Sequence, residues 1–423
     1  MKSGLHFLVA AKRCEIDELQ QLTRTSALVN VTGRLVHGLQ RERGLSNLVL
    51  GSQGARFTEV LSKQIGECQQ IEAELRGCLD RMDTSATLTG NGARLYSRIA
   101  YVLHGLDALP GLRDCVRTLG WTSRQATDAY ARLVTGLLAV VFEAADSATD
   151  PKVSRLLVAL FNFMQGKEFA GQERAVGSAL FVKGRADAGE QQRLLHLIES
   201  QERCLQVFVE FAGADVETLW KQSQESATLA ELERMRRILC TASHGTTLDA
   251  GLSQIWFDCC SRRMDSMKAV EERVADDLLR VCHDKVAAAN ADLAAYNALS
   301  AAPPSATDAM SFFEDAAPAP GTPGLGMATQ GFGLQLERSI LELVQEQAQR
   351  LQTMGDELDT VRASLNERKV IERAKGLLMA HRKLNEEAAH KMMRQMAMNQ
   401  NRRLIEVADA VLAMADVLPE GPR

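Results

Sequence analysis

Residues Glu367–Val411 run ERKVIERAKGLLMAHRKLNEEAAHKMMRQMAMNQNRRLIEVADAV. Leu, Ile, Met and Ala recur there at helical spacing, which predicts two or three short helices with apolar buried faces. The outward residues are basic: Arg368, Lys369, Arg373, Lys375, Arg382, Lys383, Lys391, Arg394, Arg402 and Arg403. Against them stand Glu367, Glu372, Glu386, Glu387, Glu406 and Asp409. The whole chain carries a formal net charge of −5, so this local excess is an asymmetry and not a general trend. Clustered Lys and Arg gain free energy by displacing counterions from phosphates, so the segment points to a polyanionic partner. A solvated basic face, or pairing with the neighbouring glutamates, is the competing explanation for any one of these residues.

Within the run the order is R-x-x-I-E-x-A-K-G-x-L-M, then E-x-A, M-R-x-x-A-M and E-V-A. The residues are Arg368, Ile371, Glu372, Ala374, Lys375, Gly376, Leu378 and Met379, then Glu387, Ala389, Met393, Arg394, Ala397 and Met398, and lastly Glu406, Val407 and Ala408. This pattern resembles the ANTAR RNA-binding domain of bacterial transcription antiterminators. The resemblance implies a leader-RNA hairpin as partner, with Arg368, Arg373, Lys375, Arg394 and Arg402 as expected RNA contacts. No aromatic residue stands in the run, so base recognition there would use Arg or edge contacts in place of ring stacking.

The rest of the chain is helical in composition. Only 5% of its 423 residues are aromatic, while the strong helix formers abound. An all-α protein of more than one domain is expected at this length. Residues 17–297 read as long amphipathic helices broken near Gly51–Gly54, Thr84–Gly92, Ala144–Pro151, Lys183–Gly189 and Ser243–Gly251. Such a pattern suits two stacked bundles of the four-helix type. Residues 298–333 are rich in Pro, Ala, Gly and Ser and read as a flexible linker, with Phe312 and Phe313 as isolated aromatics inside it. Residues 334–418 follow as a helix leading into the three-helix RNA-binding unit. In that helix Ile340, Val344, Leu351, Met354, Leu358, Val361 and Leu365 hold heptad core positions, with Gln347 as the polar one. The heptad predicts a homodimeric coiled coil over 340–365; an amphipathic helix packed on the chain's own sensor region is the alternative.

Nine cysteines without a C-x-x-C pair fit reduced thiols, not a disulfide frame or zinc site. The N-terminal apolar patch is interrupted by Lys12, Arg13 and Glu15, and no window reaches the roughly 20 apolar residues of a membrane span. A cytoplasmic protein without membrane contact is expected. No nucleophile–base set, metal-ligand spacing or phosphate-binding glycine loop appears, so no catalytic residue, metal or cofactor is assigned, and the chain is not expected to be an enzyme.

Three arginines interrupt apolar stripes. Arg43 follows Leu35 and Leu39 and precedes Asn47 and Leu50 on one helical face. Arg174 shares a face with Phe163, Ala170, Ser178 and Phe181, and Arg236 runs with Leu229, Leu232 and Leu239. A guanidinium cannot discharge, so burial demands a negative partner. That partner is either an internal carboxylate, such as Glu173 for Arg43, or a small bound anion. The neighbours Gly44, Ser46, Gly177 and Ser178 would allow close helix approach and add hydroxyl donors.

The motifs Gln40-x-Glu42-Arg43-Gly44-x-Ser46 and Gln172-Glu173-Arg174-Ala175-x-Gly177 resemble those of the nitrate- and nitrite-sensing NIT domain over residues 20–290. The resemblance implies nitrate held by arginines on facing helices, with Arg43 and Arg174 matched by motif and Arg236 by its stripe. Gly44 and Ser46 join them as expected ligand contacts. NIT followed by ANTAR is similar to nitrate-responsive antitermination regulators of nitrate assimilation genes. Two other readings stay open: an antiterminator that answers another small anion or a partner protein, and a helical interaction scaffold that binds no RNA.

Overall fold

A computed structural model describes residues 4–82, 92–300, 332–384, 386–400 and 402–415. Among these the architecture is all-α, with one isolated bridge between Arg185 and Thr247. The helices are α1 (Gly4–Gly51), α2 (Thr58–Asp80), α3 (Gly92–Arg117), α4 (Ser123–Ser147), α5 (Pro151–Lys183), α6 (Ala188–Phe211), α7 (Ala214–Ser223), α8 (Ser226–Thr241), α9 (Leu252–Ser300), α10 (Phe332–Arg382), α11 (Glu386–Gln400) and α12 (Leu404–Ala415). Apart from residues 298–300 and 332–333, which close α9 and open α10, the expected linker with Phe312 and Phe313 lies outside the described residues.

Local signals fix several of these boundaries. Thr122 and Gln125 cap α4 reciprocally, and Asp150 accepts from the Val153 amide with Pro151 at the first helical position of α5. Gly184 ends α5 at φ 67°, a left-handed conformation in which glycine avoids the Cβ clash. The break between α3 and α4 had no glycine–proline cluster to announce it; it turns at Leu119, itself left-handed at φ 56°. Helix α1 starts at Gly4, earlier than the expected 17, because Ile16 and Leu19 pack on Ala289 of α9 and Lys12 pairs with Asp292 there.

Helix α1 packs against α2 and α4 on one side, and α3 lies on α4. Helix α5 packs against α6 and α9, and α9 returns along α1. One apolar core, from Leu35 and Leu39 through Val141, Leu157 and Phe163 to Val274, joins these layers. A second, around Leu180, Phe181, Leu197, Met235, Leu239 and Trp256, closes the end built by α5, α6, α8 and α9. The C-terminal unit has its own small core of Ala374, Met393, Ala397, Val407, Ala408 and Val411 from α10, α11 and α12.

The heptad of α10 has a divided fate. Val361 and Leu365 belong to the core of the long bundle, where α10 lies along α5, and Leu358 is buried too, whereas Leu351 is 54% exposed. Those last heptad positions therefore bury within their own chain and not in a second copy. The side chains of Ile340, Val344 and Gln347 lie outside the described residues.

Candidate anion site and RNA-binding face

Arg43 on α1 and Arg174 on α5 meet across a helix contact made possible by glycine. A Cβ on Gly171 would come within 2.6 Å of Arg43 Nη2, and one on Gly44 within 3.0 Å of Arg174 Nη2. Each guanidinium thus takes up the space that a glycine of the opposite helix leaves open. Their electrostatic situations differ. Arg43, 2% exposed, donates from Nη1 and Nη2 to the two Glu168 oxygens at 2.6 and 3.2 Å. Gln40 and Gln172 donate to the same carboxylate, each at 2.9 Å, so Glu168 is well satisfied.

Arg174, 8% exposed, has no carboxylate ion pair among the described residues. Its Nη1 donates to Ser261 Oγ at 2.9 Å, and its guanidinium stands 4.8 Å from the Phe257 ring centroid. Burial, and then the neighbouring charge of Arg43, lower its pKa to about 10. It still carries its charge at neutral pH, with Nε and Nη2 free of protein acceptors among the described residues. One turn along the same helix, the Ser178 hydroxyl is buried without a hydrogen-bond partner among the described residues. Trp256 closes the site from behind, its Nε1 donating to the Arg174 carbonyl at 3.0 Å while its ring fills the place a Gly177 side chain would take.

Arg236 on α8 lies in a separate network. Its Nε and Nη2 donate to Glu173 at 2.6 and 2.7 Å and its Nη1 to Glu233 at 2.8 Å. Burial opposes its charge, but the hydrogen bonds and charge of Glu173 outweigh that and raise its pKa. Gln201 of α6 joins by donating to Glu173 at 2.8 Å, and it accepts from Arg263. The partner that the sequence offered Arg43, Glu173, is therefore Arg236's; Arg43 uses Glu168. Five residues advance a helix by about 140°, which turns Glu168 towards α1 and Glu173 towards α8. Ser46 is not brought to Arg174: its hydroxyl lies 3.3 Å from Tyr130 Oη, in the network where Tyr130 and Arg113 donate to Glu42. Ser261 and Phe257 escaped the sequence because they lie on α9, some 85 residues beyond the Arg174 motif, with no pattern of their own.

Part of the basic C-terminal face is turned towards the bundle, through Arg368, Lys369, Lys391 and Arg394. Arg368 donates to Asn162 Oδ1 at 3.3 Å and stacks 4.6 Å from the Phe161 ring centroid. Lys369 reaches buried Asp146 at 2.5 Å beside Phe142. Arg394 pairs with Glu199, and Lys391 donates to Gln192 at 3.3 Å. Lys375 stays within its own unit between Glu372 and Glu386, 2.8 Å from each. Arg373 and Arg402 are exposed. Arg373 borders a groove of about 1690 Å³ between the two units, together with Arg94, Arg98 and Arg193 of the bundle. Among the described residues no His, Cys, Asp or Glu cluster has the makings of a metal site, and no helix is long and apolar enough to cross a membrane.

The family model described as nitrate and nitrite sensing, NIT, matches residues 34–279, and the ANTAR domain model matches residues 359–412. The chain is 31% identical over 407 residues to a curated "Nitrate regulatory protein" of Klebsiella oxytoca, covering 96% of this chain and 93% of that one. A solved structure described as the NasR transcription antiterminator superposes with a TM-score of 0.60 at 29% identity, covering 97% of this chain and 99% of that one. The matches span both halves in the same order, and the chain belongs to the family of NIT nitrate- and nitrite-sensing regulators that carry a C-terminal ANTAR domain.

Proposed function

We propose that the chain is a nitrate-responsive antitermination regulator in which the anion enters at Arg174 and frees an RNA-binding face from its own sensor. The observation that carries this reading is the contrast among three buried arginines: two are bound to carboxylates, and Arg174 is charged, equally buried and without one among the described residues. Nitrate is a planar monoanion whose oxygens accept coplanar forked donors, a geometry that a guanidinium presents and an ammonium does not. Arg174 supplies the fork, Ser178 supplies a hydroxyl donor, and Arg43 adds charge from across the Gly44 contact; Ser261, whose own proton goes to the Phe257 carbonyl at 2.7 Å, aims the fork by accepting from Nη1. Gly44 serves by leaving room. Arg236 and Ser46 act at one remove, Arg236 by holding Glu173 next to Arg174 in sequence and Ser46 by bracing Tyr130.

Helix α5 links input to output. It carries Arg174 at one end and Phe161 and Asn162, which hold Arg368, near the other. Helix α6, tied to α5 through Gln201 and Glu173, carries Glu199 for Arg394. An anion that binds one packing of α1, α5 and α9 more tightly than another shifts the population of docked ANTAR domain. Release exposes Arg368, Lys369 and Arg394 beside Arg373 and Arg402 for the phosphates of a leader-RNA hairpin, met in the cytoplasm where transcription of nitrate assimilation genes proceeds. Once Val361 and Leu365 leave the bundle, the whole heptad of 340–365 is free to pair with a second copy, which would present two hairpin-binding domains.

Two measurements on the full chain test the reading. Calorimetric titration is expected to show saturable nitrate or nitrite binding that Arg174→Ala abolishes; unchanged affinity in that variant, or equal heats with chloride, overturns the anion site. Filter binding of leader hairpin RNA is expected to tighten on adding nitrate; the same affinity with and without nitrate overturns the coupling.

A further inference from the structure

The contact between α11 and α6 contains a histidine pair that neither the anion site nor the RNA face uses. His390 is buried, its ring centroid 5.2 Å from that of His196. Arg203 Nη1 lies 2.9 Å from His390 Nε2. A guanidinium has donors only, so Arg203 donates and Nε2 must accept. In the docked arrangement His390 is therefore neutral, with its proton on Nδ1. A second proton would remove the acceptor and set two cations 2.9 Å apart.

The other charges around the ring do not relieve this. Helix α6 contributes His196, Glu199 and Arg203, helix α11 contributes Glu386 and Arg394, and α10 contributes Lys375. Glu386 is engaged by Lys375 and Glu199 by Arg394. We propose that docking of the RNA-binding domain is proton-coupled: uptake of a proton by His390 releases the domain from the sensor without any anion at Arg174.

Burial, followed by the charges of Arg203 and His196, holds the His390 pKa down to about 4 from an ordinary 6.5. The His196 pKa is lowered in the same direction, by burial first and then by Arg203. Release from α6 frees His390 from Arg203 and His196 and lets its pKa rise back towards 6.5. A group with a depressed pKa in the docked state binds its proton more tightly after release. Docking therefore has full strength above pH 6.5 and weakens about tenfold per pH unit as pH falls from 6.5 towards 4. The inference rests on the docked contact and not on the nitrate assignment, because neither histidine touches Arg174.

The test uses the full chain without nitrate or RNA, so it can fail independently of the proposed function. Small-angle scattering from pH 8 to pH 5.5 is expected to show wild type extending as pH falls, with circular dichroism reporting unchanged helix content. His390→Gln keeps an acceptor for Arg203 and cannot titrate, so it should stay compact at pH 5.5. Arg203→Gln approaches from the sensor side and should flatten the same transition, which guards against a His390 variant that misfolds. In wild type with labelled histidine, nuclear magnetic resonance at pH 7 should find His390 as the neutral tautomer protonated on Nδ1, with Nε2 accepting from Arg203. A pH response equal in wild type, His390→Gln and Arg203→Gln, or a docked His390 that titrates near 6.5, overturns the proposal.

Discussion

The interior of the sensor and the seam between sensor and ANTAR domain are both rich in charge, and they treat it differently. Inside, Arg43–Glu168, Arg236–Glu173, Arg113–Glu42 and Lys167–Glu271 are closed pairs at 2.5–2.8 Å, sealed among apolar side chains. At the seam, Arg394–Glu199 is half exposed, Lys391 meets an amide, Arg368 rests on an aromatic face, and Lys369, itself partly exposed, reaches the buried Asp146. Removing one member of a sealed pair strands a charge in a medium that cannot solvate it. Parting a seam pair returns both groups to water at small cost. A contact meant to open is built in the second way, and one meant to stay shut in the first. Arg174 breaks the interior rule, being sealed like a structural residue yet left without its carboxylate.

The comparison is most easily broken at Glu168. Glu168→Ala strands Arg43 and is expected to cost about 3–5 kcal/mol of stability, read as a fall in melting temperature. Arg174→Met strands no carboxylate among the described residues and should cost only about 1 kcal/mol in nitrate-free buffer, the middle of the usual range for single substitutions. Equal losses in the two variants would erase the distinction between a structural and a receptive arginine.

Next in size is the anion itself. Arg174→Lys keeps the charge but loses the planar fork, and hydrogen bonds to charged groups are worth about 1.5–3 kcal/mol each. Nitrate affinity by calorimetry should drop by at least about tenfold. At the seam, Asp146→Asn removes the buried carboxylate that holds Lys369 and should strengthen nitrate-free RNA binding severalfold in a filter assay. Glu199→Gln, on an exposed pair, should change it by less than about 1 kcal/mol. A larger effect at Glu199 than at Asp146 would reverse the ranking of the two contacts.

Much of this was legible in one dimension. The period of apolar residues predicts the helices, and the breaks expected near Ala144–Pro151 and Lys183–Gly189 fall where Asp150 and Asp187 cap α5 and α6. The arginines stand out because each interrupts an apolar stripe, and all three prove buried. Their partners were not legible, since a carboxylate five residues away on a helix points to a different neighbour. The heptad of α10 left two coverings open for a related reason: an apolar seam at a and d positions states that something covers it and not what. Here Phe161, Val361 and Leu365 share one core.

By itself the sequence determined that this is a helical, two-part protein with buried cations upstream and a basic face downstream, because periodicity and charge placement are local properties of the chain. Tertiary structure alone decided which guanidinium is left open and what the basic face rests on. Both depend on distances between helices that are more than a hundred residues apart in the chain, as Arg43 and Glu168 are, and on the few ångströms that Gly44 and Gly171 leave between them.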